Sequence, residues 1–404
     1  MSALLRTLVV SALTAVLLAA GDVASAGQVP DVPVDPLQSP TTPGWTLTPS
    51  LATSRTFDDN VLVRGPGDLT AQDYLTTVSP RGELAFNSPR GHFSAQYDGE
   101  FAGYQNLQGL NSYSQSGSMS LKRMLSKRST FFFTASAASS PTTELLQIIG
   151  VPFVRVGSFT DDARAGLERI VSKRLTITVG AHFGQARFDQ SQAYAAVLLG
   201  GNSVGGDVSL RHRLTARTSL TADADAQYAT IGQAREPFAI QHAMGGVEQQ
   251  LSQNFRVFAA GGISRLGETS FGPARTGPSI RVGISERYRS AIVDVSYNRS
   301  FVPSFGIGGT TQNEDLTARV RLPITRRLYT QDLVSLQQAD PLVIASPQLR
   351  SAWLELSVGY AVQRWIRVEG FFAGTRQTVD RPDLLLMHNR YGIQVIASKP
   401  VRIR

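Results

Sequence analysis

The sequence predicts an all-β fold: a single antiparallel transmembrane β-barrel of about eighteen strands, with sixteen as the alternative. Three observations predict it. Apolar and polar residues alternate with a period of two from Trp45 onward. The composition is rich in glycine (36 residues), and only 17% of the residues are charged. Short links between candidate strands alternate with long ones, whereas a soluble sandwich or propeller has no reason to keep that alternation.

The first 43 residues precede the predicted barrel. Residues 1–26 combine Arg6, the apolar run Leu8–Ala20 and the small residues Ala24-Ser25-Ala26, which predicts a cleaved signal peptide. The alternative, a membrane anchor, needs an apolar run of about 18 residues, and this run is shorter. Residues 27–43 contain five prolines and are predicted to form an extended periplasmic lead. The barrel is assigned to residues 44–404.

The strands follow as successive hairpins. The stretch YLTTVSPRGELAF places Tyr74, Val78 and Phe86 on one face and Thr77 and Arg81 on the other. After the turn NSPRG, the stretch HFSAQYDGEFAGY repeats the pattern. Similar pairs continue to the last strands, for example SIRVGISERY with SAIVDVSYNRSF and AWLELSVGYAV with WIRVEGFFAGT. Each segment is close to the ~10 residues of a tilted membrane-spanning strand.

The links between these segments differ in length and in charge. The short ones are SPRG, LSKR, VSKR, TAR, SQN, RS, TRR and QR, and the main long ones are residues 58–73, 140–154, 189–202 and 302–313. Short periplasmic turns and long outer loops have this asymmetry. Several short turns are basic, and we interpret them as solvated turn charge. The net charge of +8 is dispersed without interleaved aromatic residues, so no nucleic-acid partner is predicted.

Charged residues in the polar phase of the strands are predicted to face the lumen, because a lipid-facing charge costs about 2–4 kcal/mol at the bilayer midplane. The predicted pore-lining residues are Arg211, Arg213, Arg281, Arg287, Arg319, Arg321, Glu83, Asp98 and Glu100. Two arrangements remain open. The arginines form a basic strip opposite the acidic residues, which favours anions. Alternatively, cross-strand partners such as Asp207, Asp223 and Asp294 neutralise them.

Two loop segments stand out. Asp58, Asp59 and Asn60 end the first strand, and turn chemistry explains them, with a divalent cation or a lipopolysaccharide contact as the alternative. The stretch TTELLQIIGVPFV is too apolar for a hydrated outer loop. It is predicted either to fold into the lumen as a constriction or to pack at the rim or against a partner. The apolar residues in question are Leu145, Leu146, Ile148 and Ile149.

No catalytic, metal-binding or cofactor-binding motif is found in the sequence. The five histidines show no metal-ligand spacing, and there is no P-loop, nucleophile elbow or HExxH. Ser209 and His212 are close in sequence but fall on opposite strand faces, so they cannot form a hydrolytic pair. The sequence therefore predicts a protein that is not an enzyme and has no cofactor.

The segments SRTFDDNVLV, TTVSPRGELAF and FSAQYDGEFAGY resemble the N-terminal signature of outer-membrane β-barrel porins associated with exopolysaccharide or capsule export loci. The resemblance implies a Gram-negative outer membrane and a role in passing polysaccharide outward. It implies as partners outer-membrane lipid and lipopolysaccharide, together with polysaccharide and periplasmic export components. The alternatives are a general diffusion porin, a non-conducting structural or adhesive barrel, and a barrel hydrolase.

Overall fold

Nineteen β-strands make up most of the described chain. The structure, a computed structural model, describes residues 43–65, 71–146, 148–189, 198–232, 237–268, 273–288, 291–342, 347–380 and 383–403. The predicted signal peptide and proline-rich lead lie outside these ranges, apart from Pro43. The described 3₁₀ turns are Gln108–Leu110 and Glu144–Leu146. No described helix is long and apolar enough to cross a bilayer.

The strands are β1 Gly44–Asp58, β2 Asp73–Ser88, β3 Gly91–Tyr104, β4 Ser112–Ser126, β5 Ser129–Ser140, β6 Ser158–Ile170, β7 Leu175–Phe188, β8 Gly201–Arg213, β9 Thr218–Ile231, β10 Pro237–Gln250, β11 Phe255–Leu266, β12 Arg275–Tyr288, β13 Ala291–Pro303, β14 Thr310–Pro323, β15 Leu328–Pro341, β16 Leu349–Gln363, β17 Ile366–Asp380, β18 Asp383–Ser398 and β19 Val401–Ile403.

The sheet closes on itself as an antiparallel barrel. Each strand from β1 to β18 pairs with the next, and β1 also pairs with β18 and β19. β18 pairs with Ser50–Asp58 of β1, and the short β19 pairs with Trp45–Leu47 of the same strand. β18 and β19 therefore occupy one position in the wall. The predicted count of eighteen is confirmed, and the alternative of sixteen is wrong.

Period-two alternation assigns strand residues to the lumen or to the outside, apart from irregularities at Met124/Ser126 and Ala361/Gln363. On β1, Trp45, Leu47 and Leu51 are exposed on the outer face, while Ala52 and Ser54 are buried on the inner face. Residues opposite each other in register share a face, so the inner face can be followed from strand to strand around the barrel. The assignment returns consistently to β1 across the pairing with β18.

Aromatic residues on the outer face form a belt at each end. Trp45 lies near the short turns, with its ring centroid 4.9 Å from Phe86 and 5.8 Å from Phe93. At the long-loop end, Phe57 lies between Tyr74 and Tyr391, at 5.2 and 5.1 Å. The band between the two belts is occupied by exposed aliphatic residues, among them Leu51, Val78, Val208 and Ile263.

The strands are longer than predicted, and the links are correspondingly shorter. Apart from the three-residue β19, they run from 12 residues in β5 to 16 in β2, which exceeds the ~10 residues of a tilted membrane-spanning strand. The predicted loop 302–313 contracts to 304–309, whereas the loop after β5 extends to residue 157, beyond its predicted end at residue 154. The link between β17 and β18 is only two residues long, although it lies at the long-loop end. The alternation of short and long links therefore fails at that one position.

Candidate functional site

The connection between β5 and β6, residues 141–157 and called the inward loop below, enters the lumen. Its Phe153 backbone N–H donates to Oε1 of Gln377 at 2.7 Å, and Nε2 of Gln377 donates to the Val151 carbonyl at 3.1 Å. The Phe153 ring lies 5.3 Å from the Trp353 ring. Gln377 and Trp353 face the lumen on β17 and β16 and are buried at 0% and 3% exposure. The inward loop thus covers this part of the inner wall.

A buried ionic triad, Asp58–His388–Glu144, fastens the inward loop to the wall. Glu144 is on the loop, while Asp58 and His388 face the lumen on β1 and β18. His388 Nδ1 is 2.6 Å from Glu144 Oε1, and Nε2 is 2.8 Å from Asp58 Oδ1. The three side chains are only 1–6% exposed. Both ring nitrogens can donate only in the imidazolium form, so one positive charge is held between two carboxylates.

Arginines next to the triad add positive charge and further attachments. Burial raises the pKa of the Glu144 carboxyl, but His388 and Arg390 outweigh this effect and hold that pKa below its ordinary value. Arg155, also on the inward loop, donates to the Leu110 carbonyl at 2.7 Å and to the Val61 carbonyl at 3.3 Å. The loop is therefore tied to two neighbouring loops as well as to the wall.

The tip of the inward loop reaches the link between β13 and β14. Gly150 has φ +69°, and a Cβ atom there would lie 2.1 Å from Ser304 Oγ. Both the close approach and the positive φ favour glycine. The Gly150 carbonyl accepts from the backbone N–H of Ile307 at 3.3 Å. Since β5 and β13 are eight strands apart in the ring of eighteen, the loop spans the lumen.

The apolar residues predicted to drive this loop inward have mixed environments. Leu145 is 40% exposed, and Leu146 and Ile149 are half-buried. Ile148 packs against a buried cluster made up of Val151, Val156, Ala186, Phe188 and Leu198. The sequence therefore indicated the segment that enters the lumen, but the most buried apolar side chains of that segment lie further along it.

The Asp58-Asp59-Asn60 group connects β1 to β18. Asp58 Oδ1 accepts from the backbone N–H of Asn60 at 3.0 Å, as turn chemistry predicts, and it also binds His388. Asp59 accepts from the backbone and the side chain of Asn389, both at 2.7 Å. Asn60 Nδ2 donates to the Met387 carbonyl at 2.7 Å. Within the described residues, no group of three or more histidine or acidic side chains is arranged to hold a metal ion.

The six predicted pore arginines lie in the inner-face phase of β8, β12 and β14. Arg213 ends β8, Arg287 is next to last in β12, and Arg321 is third from the end of β14, so all three lie at the short-turn mouth. Arg281 and Arg319 are deeper in the lumen. Arg211 forms an ion pair with Glu248, and the Arg321 guanidinium stacks 5.6 Å from the Tyr329 ring centroid.

The predicted neutralising partners are engaged differently. Asp207 binds Arg164 through two contacts, of 3.0 and 2.6 Å. Asp294 is the register neighbour of Arg319, but no ion pair joins them. Among the described residues, Arg213, Arg281, Arg287 and Arg319 form no ion pair. Four of the six arginines are therefore not neutralised by direct ion pairs among the described residues.

The predicted acidic residues face the lumen on the other side. Glu83 on β2 and Asp98 and Glu100 on β3 are half-buried. Asp98 pairs with Arg81 at 2.7 Å, and Glu100 accepts from Ser79 Oγ at 3.5 Å. β3 and β12 are nine strands apart in the ring of eighteen, so this acidic wall lies opposite the centre of the arginine strip.

One side of the lumen stays open beside the inward loop. The lumen-facing Ser335 and Ser351 on β15 and β16 are each 5% exposed. By contrast, Ser116 and Ser118, which face the lumen on β4, are exposed. The inner face of β4 is therefore less covered than the inner faces of β15 and β16.

Sequence reasoning missed the ionic triad, because its members come from β1, a loop and β18. No local spacing in the sequence marks His388 as a member of such a group. The Arg211–Glu248 pair was also missed, since it joins β8 to β10 across an intervening strand. An alternation pattern assigns a face, but it does not identify contacts between strands that are not neighbours.

No protein-family model and no curated protein sequence matches the chain. Similar solved structures include OpdO from Pseudomonas aeruginosa, with 12% identity, TM-score 0.44 and coverage of 89% of this chain and 98% of that one. OccAB4 from Acinetobacter baumannii has 8% identity, TM-score 0.43 and coverage of 89% and 99%. The siderophore receptor PirA from Pseudomonas aeruginosa has 11% identity, TM-score 0.44 and coverage of 89% and 81%.

Proposed function

We propose that the protein is an outer-membrane β-barrel channel that passes anionic solutes, with acidic polysaccharide as the largest of them. The observation that carries the proposal is the strip of lumen-facing arginines on β8, β12 and β14, most of which have no ion-pair partner among the described residues. A low-dielectric wall strengthens the field of such a strip and favours anions in a hydrated lumen.

The outer surface supports a membrane location. An apolar band on the outer face lies between two aromatic belts, which match the two interfaces of a bilayer. A barrel also leaves no unpaired strand edge in the hydrocarbon, which a membrane-spanning sheet requires. The short turns would lie in the periplasm and the long loops outside the cell.

The polysaccharide part of the proposal rests on two further observations. The segments SRTFDDNVLV and FSAQYDGEFAGY resemble the porins associated with exopolysaccharide or capsule export loci. An arginine guanidinium can also bind a uronate carboxylate through two parallel hydrogen bonds. A deletion strain that secretes the same amount of polysaccharide as its parent would contradict this part of the proposal.

Anion selectivity is tested by reversal potentials of the purified barrel in a planar bilayer under a salt gradient. The native channel should prefer chloride over potassium, and Arg281→Ala with Arg319→Ala should move the permeability ratio toward one. Arg350→Ala with Arg376→Ala is the matched control, because both arginines are exposed on the outer face. A native channel without ion preference would contradict the proposal.

The topology makes a separate prediction. Cysteines placed at Gln108 and Asn202, which are exposed near the long-loop end, should react with a membrane-impermeant thiol reagent in intact cells. Cysteines at Ser126 and Thr215, at the short turns, should react only after the outer membrane is permeabilised. The native chain has no cysteine, so the background is low. The opposite labelling pattern would invert the orientation.

A further inference from the structure

The two ends of the barrel differ strongly in charge. None of the eight short turns contains Asp or Glu, and together they contain ten basic residues. The long connections instead carry six carboxylates and four arginines. Nine of the ten basic residues are described, and all nine are exposed. We call these nine the basic rim: Arg90, Lys127, Arg128, Lys173, Arg174, Arg217, Arg326, Arg327 and Arg364.

The basic rim is not neutralised by ion pairs within the described part of the chain. None of its nine side chains forms an ion pair with a described residue. Exposed charges of one sign on a ring repel each other, and they concentrate counter-ions at its opening. The rim therefore favours an anionic partner that contacts several turns at once.

The rim is continuous with the lumen. Arg217 lies in the turn after β8, and Arg213 is the last residue of that strand. Arg326 and Arg327 follow β14, whose lumen face carries Arg319 and Arg321. Basic side chains thus extend from the rim into the channel. A docked globular protein would use the rim alone, whereas a linear chain could use both parts.

We propose that the basic rim is the loading site for a linear polyanion with carboxylate groups, which enters the channel from the short-turn end. This inference rests on the proposed channel function and adds a direction and a docking surface to it. Each carboxylate contributes a weak, screened contact, and linkage of many carboxylates in one chain multiplies the affinity.

The test uses oligogalacturonates and the full barrel in lipid nanodiscs, with binding measured by calorimetry at two salt concentrations. The native barrel should bind a long oligomer at least about tenfold more tightly than the monomer, because linked carboxylates bind together. The rim variant K127Q/R128Q/R326Q/R327Q should lose most of that difference. Raised salt should weaken native binding.

The matched control is R187Q/R265Q/R350Q/R376Q, which removes the same number of positive charges from exposed outer-face positions near the long loops. This control should bind the oligomer as the native barrel does. Equal losses in the two variants would overturn the proposal, because a general charge effect would then explain the binding. An oligomer that binds no more tightly than the monomer would also overturn it. So would an acidic periplasmic protein that binds the native rim instead of the oligomer.

Conductance separates this inference from the proposed function. The rim variant should keep the chloride preference of the native channel, since Arg281 and Arg319 are intact. If the barrel does not conduct but binds the oligomer through the rim, the proposed channel function is contradicted and the docking site is supported. A conducting, anion-selective barrel whose rim variant binds the oligomer normally would contradict only the docking site.

Discussion

Deletion of Leu146–Pro152 from the inward loop should raise the single-channel conductance several-fold. The deleted segment includes Gly150 and Val151, which contact the β13–β14 link and Gln377. Without them the loop cannot span the lumen, so the cross-section available to ions grows. The measurement is single-channel current in a planar bilayer, compared at the same salt concentration and voltage.

The matched control for the deletion is Leu145→Ser. Leu145 lies on the same loop but is 40% exposed, so the substitution should leave the loop in place and the conductance unchanged. Folding of each variant is checked by its heat-dependent mobility in gel electrophoresis. A folded deletion variant with native conductance would show that the loop does not constrict the channel.

Replacement of His388 by alanine should destabilise the barrel by roughly 3–5 kcal/mol, the cost of removing one partner from a buried ionic group. Asp58 and Glu144 would be left buried and facing each other without the intervening cation. The measurement is the urea midpoint of the refolded barrel in liposomes. His212→Ala is the control: it is exposed on the outer face, and we expect a change within about 0.5 kcal/mol.

Acidification supplies a second readout for the same triad. Because the pKa of Glu144 is lowered in the folded protein, its stabilising contribution is fully present above the ordinary value of 4.5. It is lost as the pH falls through the lowered folded value. In His388→Ala, Asp58 and Glu144 lack the imidazolium between them, so protonation of these carboxyls removes their repulsion and stabilises the variant. The difference in unfolding free energy between the native barrel and the variant should therefore decrease in acid. A gap that is constant with pH would contradict an ionic role.

Most of the wall could be predicted from the sequence, because the two faces of a barrel strand lie in different environments and therefore carry different residue types. Outer residues such as Leu51 and inner residues such as Ser54 alternate along β1, and this alternation locates strands and faces. The same rule placed Arg281 and Asp98 in the lumen phase. Strand ends were less accurate, since strand pairing continues past the ~10 residues expected of a membrane-spanning strand, and links such as 304–309 are shorter than their composition indicates.

The interior of the barrel could not be predicted in the same way. Glu144 is a charged residue, yet it is 2% exposed, while the apolar Leu145 beside it is 40% exposed. The cause is His388, which is distant in sequence and adjacent only once the barrel closes. Period-two patterns carry no information on such a contact. Long side chains can also reach past the neighbouring strand, as in the ion pair between Arg211 and Glu248, and the alternation pattern does not predict such contacts.

The pairing of β1 with β18 and β19 has a consequence for assembly. All other strand neighbours are consecutive in the chain, so hairpins can add one after another with little loop-closure entropy. The last contact instead joins residues such as Ser50 and Ser398, from opposite ends of the barrel domain. Until it forms, the growing sheet keeps two open edges that can pair with other chains. Closure of this seam is therefore a single late step, and before it a nearly complete barrel is most prone to aggregate.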